Sequence, residues 1–385
     1  MKAIEGVNLK LILITVLILV ILIPMTMVES LVTEREDRKF EAVSEVTSKW
    51  GTQQVVTGPI ITIPYKTYHD NGDADISERV QYRHFLPESL VINGIMNSTI
   101  RERGIYEVAL YNSKLFIRGN FPSDLLRQFE VPPTDIMLDS AVLSLGISDM
   151  TGIQKGIEAT LGGATITIEP GLGNKDIISA GVHSKIINLH SQSDLSFTFE
   201  LDLNGSDSLS LTPVAKTNSV HLESDWKTPS FNGAFLPTSH ELGSSGFTSE
   251  WSVLNLNRNY PQWWDGSQHY VSDSNFGVNL FIAADLYTQS NRAIKYALLF
   301  IVFTFAIIFC TEILHKNIIH PFQYLLVGLA ISIFYVLLLS ISEHMNFDLA
   351  YWLSSFAIII LIGLYTKSIF KSNRIALVIL SLIHI

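Results

Sequence analysis

The chain has 385 residues, 48% of them hydrophobic, with 26 Lys and Arg against 36 Asp and Glu. A formal net charge of −10 excludes the basic surface that nucleic-acid binding needs. The single cysteine, Cys310, excludes an internal disulfide, so any part of the fold in an oxidising compartment must be held by an ordinary core.

The apolar runs are unevenly placed. Residues 11–28 form one uncharged run, about 260 mostly polar residues follow, and three more runs crowd the C-terminal quarter. Eighteen apolar residues are near the minimum for a membrane-spanning helix. Lys2 and Lys10 precede the first run, as in a signal peptide, but the run is longer than a normal h-region. It is followed by Glu29-Ser30-Leu31-Val32 instead of a small-x-small cleavage site. Residues 1–28 are therefore read as an uncleaved anchor, with Pro24 placed near the end of its helix.

The later spans are read at about 296–314, 322–341 and 349–365, with the start of another at 375. Lys316 lies in one loop and Lys367, Lys371 and Arg374 follow the fourth span, whereas the intervening loop carries Glu343 and Asp348. A cytoplasmic N-terminus puts every basic loop on the cytoplasmic side. The segment 29–292 then lies outside the cytoplasm, and residues 293–385 form the C-terminal helices of a multi-pass membrane protein. Segment 29–292 holds 19 Lys and Arg against 32 Asp and Glu, which suits a solvated acidic surface and not docking on anionic lipid.

Within that segment, Phe40, Val43, Val46 or Thr47, and Trp50 recur at helical spacing among charges. They predict an amphipathic helix over 31–50 that packs its stripe on the domain. From Gln54 onward short strands take over. They are read at 55–56, 60–65, 81–85, 90–92, 105–110, 115–117, 136–145, 164–168, 184–189, 195–203, 209–211 and 220–222. Leu195, Phe197, Phe199, Leu201 and Leu203 alternate with polar residues, and Asn71-Gly72, Asn93-Gly94 and Asn204-Gly205 read as hairpin turns. A short helical piece fits at 123–129. The fold class that follows is a membrane protein with an N-terminal anchor, a large mostly antiparallel β-rich periplasmic domain of sandwich or barrel-like form, and a C-terminal α-helical transmembrane bundle.

A search for chemistry returns little. Gly171-Leu172-Gly173 lacks the third glycine of a dinucleotide turn, and Gly243-Ser244-Ser245-Gly246 misses the spacing of a nucleophile elbow. The outer histidines, at 69, 84, 183, 190, 221, 240 and 269, have no ligand spacing, although His183 and His190 could meet across a hairpin. Asp149 and Glu169 read as turn or capping carboxylates. No catalytic, cofactor-binding or metal-binding residue is assigned, and no cofactor is implied. Cys310 reads as a small lipid- or helix-facing residue within a span. Residues 225–264 concentrate Trp226, Phe231, Phe235, Phe247, Trp251, Tyr260, Trp263 and Trp264, which suits a core under long loops or an interaction surface. Glu312 and His344 sit at span ends within reach of water, which argues against an ion-coupled transporter.

These residues carry a resemblance. The runs Asn291-Arg292-Ala293-Ile294-Lys295-Tyr296 and His320-Pro321-Phe322-Gln323-Tyr324-Leu325-Leu326-Val327-Gly328, with Ser342-Glu343-His344, resemble the CreD family of bacterial inner-membrane proteins. Gly58-Pro59, Phe85-Leu86-Pro87-Glu88, Thr167-Ile168-Glu169-Pro170-Gly171 and Phe235-Leu236-Pro237 extend it through the outer domain. The resemblance implies a cell-envelope integrity protein, associated with the CreBC two-component response and with altered tolerance to agents such as colicins. It supplies no catalytic residues. His320-Pro321 itself reads as a loop-to-helix entry, with proline in the first turn. The family continues with further membrane helices, so the native frame is expected to run past Ile379 and complete a fifth span. Residues 380–385 also match a forward-frame translation of the mosaic-end adapter used in transposon-based sequencing libraries.

The function expected is non-enzymatic, exerted in the lipid bilayer through an envelope protein partner. A periplasmic ligand-binding or sensor protein, or an envelope-polymer hydrolase, is the alternative. Either would need a deep polar pocket with convergent carboxylates or histidines.

Overall fold

A computed structural model of the chain describes residues 2–70, 76–186, 189, 195–280, 286–315 and 319–370. The chain divides into two compact units, one built from Met1–Ala42 with Ala283–Ile385 and the other from Val43–Ile282.

In the first unit, four helices among the described residues are long and apolar enough to cross a membrane. Helix α1 (Lys2–Trp50) is continuous through Pro24, which lies in its middle and not at its last turns as expected. Bilayer helices tolerate such a proline because neighbouring groups take up the freed backbone. Helices α2 (Leu286–Lys295), α3 (Ala297–His315), α4 (Pro321–Ser342) and α5 (Phe347–Phe370) complete the unit. The last three match the expected spans within a few residues. Ile21, Ile301, Phe305 and Tyr324 are buried between the helices, while Leu299, Phe303, Trp352, Phe356 and Leu364 point outward, as a lipid-facing surface requires. Gly328 lies against Ile21, where an added Cβ would stand 2.0 Å from its Cδ1. Small residues allow this close approach between membrane helices. His320 caps α4, accepting from Phe322 N–H at 3.2 Å, with Pro321 in the first turn, as expected.

The second unit is built from two sheets. The strands are β1 (Gln54–Asp70), β2 (Ile76–Phe85), β3 (Ser89–Arg103), β4 (Tyr106–Asn120), β5 (Val142–Ile147), β6 (Glu158–Leu161), β7 (Ala164–Thr165), β8 (Glu169–Pro170) and β9 (Gly181–Lys185). They continue as β10 (Ser196–Ser206), β11 (Ser208–Thr212), β12 (Thr217–Ser224), β13 (Pro229–Gly233), β14 (Ser239–Gly243), β15 (Gly246–Leu254), β16 (Trp263–Asp265) and β17 (Phe276–Leu280). A nine-stranded sheet runs β13-β17-β11-β1-β5-β9-β8, with β2 on β1 and β16 on β2. An eight-stranded sheet runs β14-β15-β12-β3-β4-β10-β6-β7. Pairing is antiparallel except for β1 with β11 and β12 with β3.

Both sheets bury their inner faces in one core. Trp251 of β15 is 1% exposed, and its ring meets Phe231 of β13 and Phe276 of β17 at 5.7 and 5.5 Å, which ties the sheets together. The alternating residues 195–203 are all buried.

Three local expectations change. Asn93-Gly94 is not a turn: it lies inside β3, with Gly94 facing inward beside Leu115 and Leu222. Asn204-Gly205 lies inside β10, where Gly205 leaves room for the Tyr111 hydroxyl, 2.3 Å from where its Cβ would be. The β3–β4 hairpin turns instead at Gly104, whose φ of +65° suits glycine. Finally, the stripe of α1 engages the sheets only from Val43 onward: Phe40 is 62% exposed, whereas Thr47 is buried and the Trp50 indole donates to Tyr111 O. Asn71-Gly72, His190, residues 316–318 and the start of a span at 375 lie outside the described residues.

Candidate functional site

The solvent face of the eight-stranded sheet carries a trough made of two adjoining concavities, about 630 and 410 Å³, which share Ile95 and Glu223. Strand register lays two rows of side chains across it. One runs Ser239–Glu250–His221–Asn93–Phe116–Glu200–Glu158, and the other Glu241–Thr248–Glu223–Ile95–Lys114–Asp202. Both rows are outward because Ile92, Gly94, Met96, Leu115, Ile117, Phe199 and Leu201 take the alternate, inward positions. Ile95 is 54% and Phe116 36% exposed at the centre. Asp202 is held by Lys155 at 3.4 Å and Asn112 at 2.6 Å, and His221 bridges Glu223 and Glu250 at 3.0 and 3.4 Å.

Two polar clusters inside the unit, around Arg83 and His84, close on themselves. Arg83 is buried, makes a two-pronged pair with Asp265 at 2.8 Å on both prongs and donates to Gln128 O. Its guanidinium lies over the Trp263, Phe129 and Tyr65 rings at 4.5, 4.9 and 5.2 Å. Next to it, His84 meets the Thr62 hydroxyl through Nδ1 at 2.9 Å and Asp176 through Nε2 at 3.3 Å. This hydroxyl–imidazole–carboxylate series is reversed with respect to a hydrolytic triad, in which the hydroxyl faces Nε2. Thr62 and His84 are also buried. Burial pushes the His84 pKa down, against the pull of Asp176 and Asp265.

The residues singled out from sequence fall as follows. Asp149 caps a turn: it accepts from Thr151 N–H at 3.0 Å and from both the amide and hydroxyl of Thr52 at 2.8 Å. Burial raises its carboxyl, but these bonds from Thr52 and Thr151 outweigh it and hold the pKa below the usual range. Glu169 and His183 are cross-strand partners, 3.7 Å apart, and His183 Nδ1 meets Gly171 O at 3.0 Å. His240 and His269 pack against Phe231 and Trp264. The side chain of His69 is outside the described residues. Of the aromatic segment, Trp226, Phe247, Trp251, Tyr260 and Trp264 are core residues, while Trp263 is partly exposed. No group of three potential metal ligands occurs among the described residues.

In the membrane-type unit, Glu312 does not reach water as expected. It is 8% exposed, and its carboxylate accepts from Lys10, from Tyr324 OH at 2.8 Å and from Ile319 N–H at 3.1 Å. A second cluster joins Arg35 to Glu343 at 3.8 Å and Tyr287 OH to Glu343 at 3.3 Å. Lys10 and Arg35 are separated along α1 by about 38 Å, a little more than a hydrocarbon core. Sequence reading missed the Lys10–Glu312 and Arg35–Glu343 pairs because each joins positions roughly 300 residues apart.

The comparisons with known proteins agree with this architecture. The family model described as inner membrane protein CreD matches residues 6–385. The inner membrane protein CreD of Escherichia coli (strain K12) is 32% identical over 363 residues, which cover 92% of this chain and 79% of that protein. With membrane-length helices on either side of a two-sheet unit and a match over nearly its whole length, the chain belongs to the CreD family of inner membrane proteins.

Proposed function

We propose that this protein supports cell-envelope integrity and tolerance to envelope-directed agents without catalysing a reaction, acting through a partner met by a periplasmic β-rich unit. Its N-terminus is placed in the cytoplasm on the loop charges. One observation carries the reading: two buried polar clusters of the outer unit, Arg83 with Asp265 and His84 with Asp176, are closed within themselves, while its large concavity is an open surface trough. Closed polar clusters stabilise a fold, and an open trough suits recognition.

The test is genetic. Deletion and overproduction should change sensitivity to detergents, colicins or cell-wall antibiotics, with His183→Ala and Glu169→Gln leaving the effect intact. A single His or carboxylate variant outside the trough that abolished the phenotype at wild-type abundance would point to catalysis and overturn the reading.

A further inference from the structure

Glu200 of β10 and Glu158 of β6 stand directly opposite one another on the trough face. Like charges in this position disfavour the sheet. Neither carboxylate has an ion-pair or hydrogen-bond partner among the described residues, and the same is true of Glu241 on the far edge strand β14. The lining as a whole holds six carboxylates, among them Glu158, Glu200, Glu223 and Glu241, against two lysines. The carboxylates lie toward the two ends. At the centre, Ile95 and Phe116, diagonal neighbours on β3 and β4, hold exposed apolar surface beside Asn93 and Lys114.

We infer that the trough binds an extended polypeptide segment, basic at both ends and apolar in the middle, laid across the strands. The inference rests on the reading of the protein as one that acts through a partner, and names that partner's chemistry. Length follows from the sheet. From β14 to β6 there are six strand spacings, roughly 29 Å at about 4.8 Å each, which an extended chain covers in about nine residues at about 3.3 Å per residue. Charge selects the ends, because lysines or arginines there would relieve the Glu158–Glu200 repulsion and pair Glu241. The apolar centre selects a polypeptide over a plain polyamine, which would leave Ile95 and Phe116 in water. Anionic polymers and lipid headgroups are repelled. Local conflicts of this sort, kept in an otherwise consistent fold, mark functional surfaces.

The test uses the full-length protein in neutral detergent micelles and a fluorescein-labelled nonapeptide with three lysines, a Val-Phe-Val centre and three lysines. Anisotropy should report saturable binding, weakened at least tenfold by Glu158→Gln, Glu200→Gln and Glu241→Gln together, and likewise on raising NaCl from 50 to 500 mM. The triple variant should melt no lower than wild type, since it removes a like-charge pair. Equal affinity for the triple variant, equal affinity for a peptide with glutamate ends, or displacement by spermidine at the same concentration as by unlabelled peptide would overturn the inference. A deletion strain without an envelope phenotype would overturn the proposed function instead, and leaves a charge-selective peptide result standing.

Discussion

Lys10 of α1 donates a hydrogen bond to Glu312 of α3, 302 positions later in the chain, and so ties the first membrane-length helix to the second. Glu312 is closed from its other sides by the Tyr324 hydroxyl and the Ile319 amide. Removing one member of a buried pair strands the other's charge. Lys10→Met should destabilise the full-length protein by about 1–3 kcal/mol, less than for a fully buried pair because Lys10 keeps some access to water. Adding Glu312→Gln should restore part of the loss. Melting of the four forms in detergent measures the coupling; strictly additive effects would sink the claim that the pair acts as a unit.

Truncating the ring that joins the two sheets should be costly. Trp251→Ala empties a site packed on Phe231 and Phe276, and about 3–5 kcal/mol of stability should be lost. Trp263→Ala, at a partly exposed position beside Arg83, should cost clearly less. Urea denaturation of both variants gives the ranking, and a reversed order would contradict the assignment of Trp251 to the core.

Acidification should weaken the two-sheet unit through His84. Burial holds its folded pKa below the ordinary value of 6.5. In the window between the folded value and 6.5 the unfolded chain binds a proton that the folded chain does not, so stability rises with pH there. It is fully present above about pH 6.5 and is lost as pH falls toward the folded value. His84→Gln keeps a polar side chain for Thr62 and Asp176 and should flatten this part of the curve. An unchanged slope in the variant would place the pH dependence elsewhere.

Topology is checked by labelling in a Cys310→Ser background. A cysteine at Ser244, which is exposed, should react in whole cells with an impermeant thiol reagent. One at Asn317, which follows α3 in the sequence, should react only after the inner membrane is breached. The opposite pattern would reverse the orientation proposed from the loop charges.

Much of the architecture was legible because long apolar runs and clean alternation are local signals. The spans matched α3, α4 and α5, and the inward residues from Leu195 to Leu203 emerged as read. Asn93-Gly94 misled because the dipeptide favours hairpins in isolation. The inward series Ile92, Gly94, Met96 continues through it, and tertiary pairing with β4 and β12 overrides the turn. The five strands after Ser224 escaped notice among prolines and aromatics. The trough was not legible at all. Its rows join residues from seven strands, and the key neighbours, His221 and Asn93, meet through a parallel pairing that no hairpin rule supplies.

The two parallel pairings also order the birth of the protein in time. Strand β1, among the first to leave the ribosome, takes Leu209–Thr212 as its neighbour, and that strand in turn waits for Phe276–Leu280. Likewise β3 has one side unfilled until residues 217–224 are made. Such distant partners make assembly slow. For most of synthesis the nascent chain therefore carries open strand edges and an incomplete core, so its exposure to proteases and to misjoining ends only when nearly all of the two-sheet unit has arrived.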